Sequence, residues 1–151
     1  MKRFNRVTQS GTLTHTTVEL GIHQRIRSRQ RITLSTGEEA LMDIERGITL
    51  RDGDQLASEA GEVVTVVSAP ETVSVVRTDD LHLLARVCYH LGNRHVPLQI
   101  TPAWVSYLHD HVLDAMVVGL GAEVATEHAP FEPENGAYGG QSHSHSHSHS
   151  H

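Results

Sequence analysis

The sequence predicts an α+β protein in three parts: a small all-β domain over residues 1–68, a β-α-β-β-α-β domain over 69–130, and a disordered histidine-rich tail over 131–151. Three observations predict it. Turn sequences punctuate the first half at spacings of roughly 7 to 15 residues, the rhythm of an all-β unit. Segments with a helical period and N-cap residues appear only after residue 72. Alternating serine and histidine, with no apolar side chain, ends the chain.

In the first half, residues 12–19 alternate, with Leu13, His15 and Thr17 on one beat and Thr12, Thr14, Thr16 and Val18 on the other. Residues 25–34 place Ile26, Ile32 and Leu34 on the same beat, so both runs read as half-buried strands. Gly21, Ser35-Thr36-Gly37, Arg46-Gly47, Arg51-Asp52-Gly53-Asp54 and Ala60-Gly61 supply the turns between strands. Residues 63–67 form an unbroken β-branched run and read as a buried strand. Ser68-Ala69-Pro70-Glu71 is the best domain boundary, because proline cannot continue a central strand.

The pattern changes after the boundary. Residues 72–77 are β-rich, and Thr78, Asp79 and Asp80 then offer capping oxygens to a helix carrying Leu81, Leu84, Ala85, Cys88 and Leu91 at i, i+3, i+4, i+7 spacing. Gly92-Asn93 closes it. Residues 95–101 and 103–108 read as short strands with Pro97 and Pro102 at their edges. Asp110 caps a second helix with Val112, Leu113, Met116, Val117 and Leu120 facing inward, ended by Gly119 and Gly121, and residues 123–127 form the last strand. Two helices on one face of an antiparallel four-stranded sheet is the split-βαβ, ferredoxin-like arrangement. Beyond Pro130, proline, glycine and acidic residues followed by five Ser-His pairs leave almost nothing to bury, so the segment is expected to be disordered.

Composition narrows the function. The formal charge of −6, with no dense Lys/Arg cluster, argues against a nucleic-acid partner, since that affinity comes from basic side chains displacing counterions. One cysteine makes no internal disulfide, no apolar run reaches membrane-spanning length, and the first eleven residues lack the apolar core of a signal peptide. A soluble cytoplasmic protein with no membrane partner is expected. No acid, base and nucleophile set stands out: Cys88 lies on an apolar helix face, and neither a nucleophile elbow nor a phosphate loop is present, so the chain is not expected to be an enzyme. A metal-dependent hydrolase would need a carboxylate base beside the histidines, and Asp110, the one candidate, is better used as a cap.

Histidine is the outlier. The chain has 13, five of them in its last nine residues, where average composition would supply about three in all. Imidazole suits Ni, Cu and Zn, so a histidine-rich chain with a single thiol selects borderline transition metals. His95, in Gly92-Asn93-Arg94-His95-Val96-Pro97, and His109 and His111, in Tyr107-Leu108-His109-Asp110-His111, are the internal candidates. An i, i+2 pair shares a side in extended chain and diverges by about 200° in a helix. His109 and His111 straddle a strand-to-helix junction, so a shared ion and a plain surface role both stay open. His82 and His90 read as solvated or structural, and His15, His23 and His128 as surface residues. His143, His145, His147, His149 and His151 form either a native metal-binding tail or a purification tag, and their strict alternation with serine favours the former.

Residues 89–100 (Tyr-His-Leu-Gly-Asn-Arg-His-Val-Pro-Leu-Gln-Ile), 108–116, the Ala129-Pro130-Phe131-Glu132-Pro133-Glu134 stretch and the histidine tail together resemble the urease accessory nickel metallochaperones over nearly the whole chain. The Gly-Asn-Arg-His segment is the specific part. The resemblance implies a homodimer through the C-terminal domains, with Ni(II) as cargo bound between His95 of each subunit. It further implies auxiliary binding at His109 and His111, added capacity from the tail, and a peptide-binding N-terminal domain. The expected partners are the urease maturation GTPase and apo-urease with its other accessory proteins, and Cu(II) and Zn(II) are the expected competitors. The alternative class is a histidine-rich storage or buffering protein without a client, which would need neither the Gly-Asn-Arg-His segment nor the β-rich domain.

Overall fold

The period-2 segments of the first half pair into one sheet in the computed structural model, which describes residues 1–9 and 11–136. Its strands are β1 (Lys2–Thr8), β2 (Thr17–Leu20), β3 (Arg29–Thr33), β4 (Glu39–Asp43), β5 (Gln55–Ser58) and β6 (Val63–Ser68), in the order β2-β6-β5-β1-β4-β3. β1 runs parallel to β4 and β2 parallel to β6; the other neighbours are antiparallel. Because successive side chains on a strand point to opposite faces, Val64 and Val66 on β6 and Ala40 and Met42 on β4 meet Phe4, Val18, Leu20, Ile32, Leu34 and Leu56 in one core.

Several expectations for this half are corrected. Residues 25–34 are not one strand: Ile22–Arg25 is a single helical turn, α1, Ile26 is exposed, and pairing begins at Arg29. The Arg25 side chain is fully buried and donates from Nε to the Leu20 carbonyl (3.1 Å) and from Nη1 to the Leu50 carbonyl (3.3 Å). That tertiary anchor leaves no trace in hydrophobic period. Residues 12–16 lie outside β2, which starts at Thr17. β4 and β5 were not anticipated, since Glu-Ala-Leu-Met is helix-forming composition and Gln-Leu-Ala-Ser carries one large apolar residue; pairing on both flanks overrides these local preferences.

The second compact unit, Pro70–Glu134, contains β7 (Pro70–Arg77), α2 (Leu81–Asn93), β8 (Gln99–Ile100), β9 (Trp104–Leu108), α3 (His111–Gly119) and β10 (Ala125–Pro130). The sheet order is β10-β7-β9-β8, with every neighbouring pair antiparallel. Pro70 opens β7 opposite Pro130, ahead of the first β9 pairing at Val73, so its missing N–H costs the central ladder nothing. The last strand is Ala125–Pro130 where 123–127 was expected, and the expected strand over 95–101 shrinks to Gln99–Ile100.

Asp80 caps α2 by accepting from the Leu83 N–H (3.0 Å). Asp110 caps α3 by accepting from the N–H groups of Val112 (2.8 Å) and Leu113 (3.2 Å). The buried stripe of α2 is Leu84, Val87 and Leu91, rotated from the expected one: Leu81 is 72% exposed and Ala85 is also exposed. Both rows satisfy the same period, and only the sheet decides between them. On α3, Leu113 and Val117 are buried while Val112 faces outward. The helices share one core with Val76, Val105 and Tyr107. Register places Val76 opposite Val105 and Ser74 opposite Tyr107, so these four side chains point to the helix side of the sheet.

The other face holds buried Val73, Val75 and Ser106. Contrary to the expectation of disorder, residues 131–134 continue the fold. The chain leaves the β10 edge, and by Glu132 and Glu134 it is bonded to the opposite edge: the Glu132 N–H donates to Gln99 Oε1 (3.0 Å) and the Glu134 N–H to the Leu98 carbonyl (2.6 Å). Gln99 pairs with Ser106, so this strap crosses the face away from the helices, and Phe131 within it is fully buried. The tail histidines expected to bind metal, His143, His145, His147, His149 and His151, lie outside the described residues. Phe131→Ala should destabilise this unit by about 3–5 kcal/mol through the cavity it leaves. Truncation after Tyr138 should leave the denaturation midpoint unchanged. Both are read by urea titration of the fluorescence of Trp104, the one tryptophan, which lies on β9.

Candidate metal centre

His95 sits where α2 must stop. The last carbonyls of a helix need donors from outside it. Here the His95 N–H donates to the Gly92 carbonyl (2.9 Å) and the Val96 N–H to the Leu91 carbonyl (3.3 Å), the paired bonds of a Schellman motif. Arg94 is the cap residue, so His95 occupies the next position, the one that turns left-handed, with φ +60°. Among the described residues it is the one non-glycine residue with positive φ. The expected closure at Gly92-Asn93 is thereby corrected: the helix runs through Asn93, and the left-handed residue is the histidine. Val96 packs against the core that contains Leu91, which clamps the turn from below while the imidazole stays exposed.

His109 and His111 flank the cap of α3. Asp110 is extended (φ −155°, ψ 116°), with His109 just before it and His111 the first helical residue. The His109 N–H extends the β7–β9 ladder by donating to the Thr72 carbonyl (3.1 Å). Its ring turns to the helix side of the sheet, with Nδ1 3.2 Å from Asp114 Oδ2 and 3.1 Å from Ser74 Oγ. The Tyr107 hydroxyl donates to the other carboxylate oxygen of Asp114 at 2.7 Å. Tyr107 is fully buried, and that burial, reinforced by the carboxylate, pushes its phenol well above the usual range. His111 is exposed at the helix start.

Asp114 was not picked out from the sequence. It lies five residues beyond His109, across a cap, and the signal available was a carboxylate in the first turn of a helix that begins beside histidines. Among the described residues, no three His, Cys, Asp or Glu side chains come together as one metal-ligating group, so a chain by itself presents single imidazoles there rather than a closed cage. Cys88 is partly buried against the helix core, and desolvation raises its thiol pKa, away from the thiolate that would bind metal or attack a substrate. His15, His23, His82 and His128 are exposed. His90 is half-buried with its ring edge-on to Tyr89, centroids 5.1 Å apart. No helix among the described residues is long and apolar enough to cross a membrane.

Both units match known sequence families. Residues 5–69 match the UreE urease accessory protein N-terminal domain and residues 71–151 its C-terminal domain. The chain is 58% identical to urease accessory protein UreE of Pseudomonas putida (strain W619) over 139 residues, covering 91% of this chain and 86% of the relative. It is 52% identical to that of Tolumonas auensis over 142 residues, 93% of this chain and 76% of the relative. With that of Proteus mirabilis (strain HI4320) the identity is 50% over 148 residues, 93% of this chain and 92% of the relative. Two domain matches in tandem, and relatives at half identity or better over most of their own length, place this chain in the UreE family of urease accessory proteins, with a role in urease maturation.

Proposed function

We propose that the protein carries Ni(II) to apo-urease while the enzyme's metallocentre is assembled, as a non-catalytic cytoplasmic homodimer working with the urease maturation GTPase and the other accessory proteins. The strand order β10-β7-β9-β8, with a helix after β7 and after β9, supports a ferredoxin-like fold for the metal-binding half. The observation that carries the proposal is His95 itself. A left-handed non-glycine residue costs of order 1 kcal/mol or more, and such strain persists chiefly where function needs the side chain. Glycine would end this helix without that cost, yet the position holds an exposed imidazole.

A twofold axis beside His95 would set it against its own copy, making two ligands from one position. A two-imidazole site leaves coordination positions open for water, for tail histidines or for an acceptor's ligands, so the ion can be handed over by ligand exchange. Selectivity does not come from these ligands. Cu(II) binds imidazole sites at least as strongly as Ni(II), with Zn(II) a weaker competitor than Cu(II), so partners and metal supply must choose the cargo. Match to urease accessory proteins across both domains weighs against a storage protein without a client.

Calorimetry should find more Ni(II) per dimer in the full chain than in a chain ending at Tyr138, and His95→Ala should remove the tightest site left in the shorter form. Equal stoichiometry of the two lengths would eliminate the tail as a binding element, and an unchanged tight site in His95→Ala would eliminate His95. Replacing His95 by glycine separates ligand from backbone: it should lose the same site yet raise unfolding free energy by about 1 kcal/mol, whereas His95→Ala keeps the strain. Under limiting nickel, cells carrying His95→Ala should activate less urease.

A further inference from the structure

The second imidazole site carries a built support whose role the carrier reading alone does not assign. His109 Nδ1 faces Asp114 Oδ2 at 3.2 Å, and a carboxylate only accepts, so the contact is favourable when Nδ1 bears the proton. Asp114 is itself held, since its other oxygen takes the hydroxyl proton of fully buried Tyr107 at 2.7 Å. Ser74, also fully buried, places its Oγ 3.1 Å from the same nitrogen. With Nδ1–H directed inward, the lone pair of the neutral ring is left on Nε2. The His109 side chain is 39% exposed and that of Asp114 19%, so the imidazole reaches solvent while its support is largely covered.

The geometry points to Asp114, anchored by Tyr107, as the positioning residue that fixes His109 as an Nε2 ligand for a borderline divalent cation. The inference rests on the reading of His109 as an auxiliary nickel ligand and adds the group that prepares it. Carboxylates in this place orient ligating histidines and raise their basicity, and losing one costs about 10- to 100-fold in metal affinity. Asp114→Asn is the discriminating change. The amide oxygen can keep the Tyr107 hydroxyl, which turns the NH2 group toward Nδ1 and favours the opposite tautomer, with the proton on Nε2 where the metal would bind.

Long-range 1H–15N correlation spectra of the metal-free full chain report the tautomer of His109 directly. Wild type should show the Nδ1–H form and Asp114→Asn the Nε2–H form, while Ser74→Ala, which keeps the carboxylate, should stay with wild type. Ni(II) titration followed at the His109 resonances should then be about 10- to 100-fold weaker in Asp114→Asn, with the His95 site unaffected. An unchanged tautomer in Asp114→Asn overturns the positioning role. A switched tautomer with unchanged Ni(II) affinity at His109 overturns its link to metal. His109→Ala is the separate control: if it leaves Ni(II) stoichiometry intact, the auxiliary-ligand reading fails while the tautomer result still stands or falls by itself.

Discussion

The rule that a helix must satisfy its terminal backbone groups fixes where the three internal candidate histidines sit. α2 cannot end without donors for its last carbonyls, and the N–H groups that answer them belong to His95 and Val96. α3 cannot begin without acceptors for its first N–H groups, and Asp110, between His109 and His111, accepts two of them. The three internal candidate histidines are therefore placed by capping hydrogen bonds. The core then fixes the caps: Leu91 contributes a carbonyl to the Schellman pair and a buried side chain to the cluster shared by both helices. Two hydrogen bonds therefore hold the backbone of this turn while the His95 side chain stays exposed.

What the sequence revealed followed the strength of local signals. Asp110 is recognisable as a cap, and Asp80 as one of the three candidates Thr78, Asp79 and Asp80, because a carboxylate ahead of an apolar helical period has one good use. The β-rich first half was readable from its turns and from the β-branched run that makes up most of β6, whereas β4 looks helical by composition and is a strand because β1 and β3 pair with it. Leu84 and Leu91 belong to the expected row and are buried, but Val87 takes the place of Leu81 and Ala85 at equal period, so the exact buried face of α2 is decided by tertiary contact. Phe131 was lost among prolines and glycines, although a lone aromatic side chain in such a segment is the kind of residue a sheet face can bury.

At the site, residue type was legible and conformation was not. His95 stood out by its neighbours, but Gly92-Asn93 is the more conventional helix stop, and nothing local indicates that the turn is postponed until the left-handed position falls on a histidine. Asp114 reaches His109 only because the cap at Asp110 reverses the chain between them, a relation that spacing along a strand or a helix does not encode.

The two helix ends also differ in sign, and this gives the sites different electrostatic starting points. Aligned peptide dipoles leave about half a negative charge at the C-terminus of a helix and half a positive charge at its N-terminus, each worth roughly 0.3–1 kcal/mol to a neighbouring ion. His95, beyond the last turn of α2, lies where a cation is favoured without any carboxylate. His109 and His111, at the start of α3, lie where a cation is opposed, and there the chain places Asp110 and Asp114. Asp110 accepts from backbone N–H groups and Asp114 from Tyr107, yet their two full negative charges outweigh the half charge of the dipole, so the carboxylates reverse its sign beside His109 and His111. The two helix ends thus come to tolerate a cation by different means: the peptide dipole alone beside His95, and carboxylates set against the dipole beside His109 and His111.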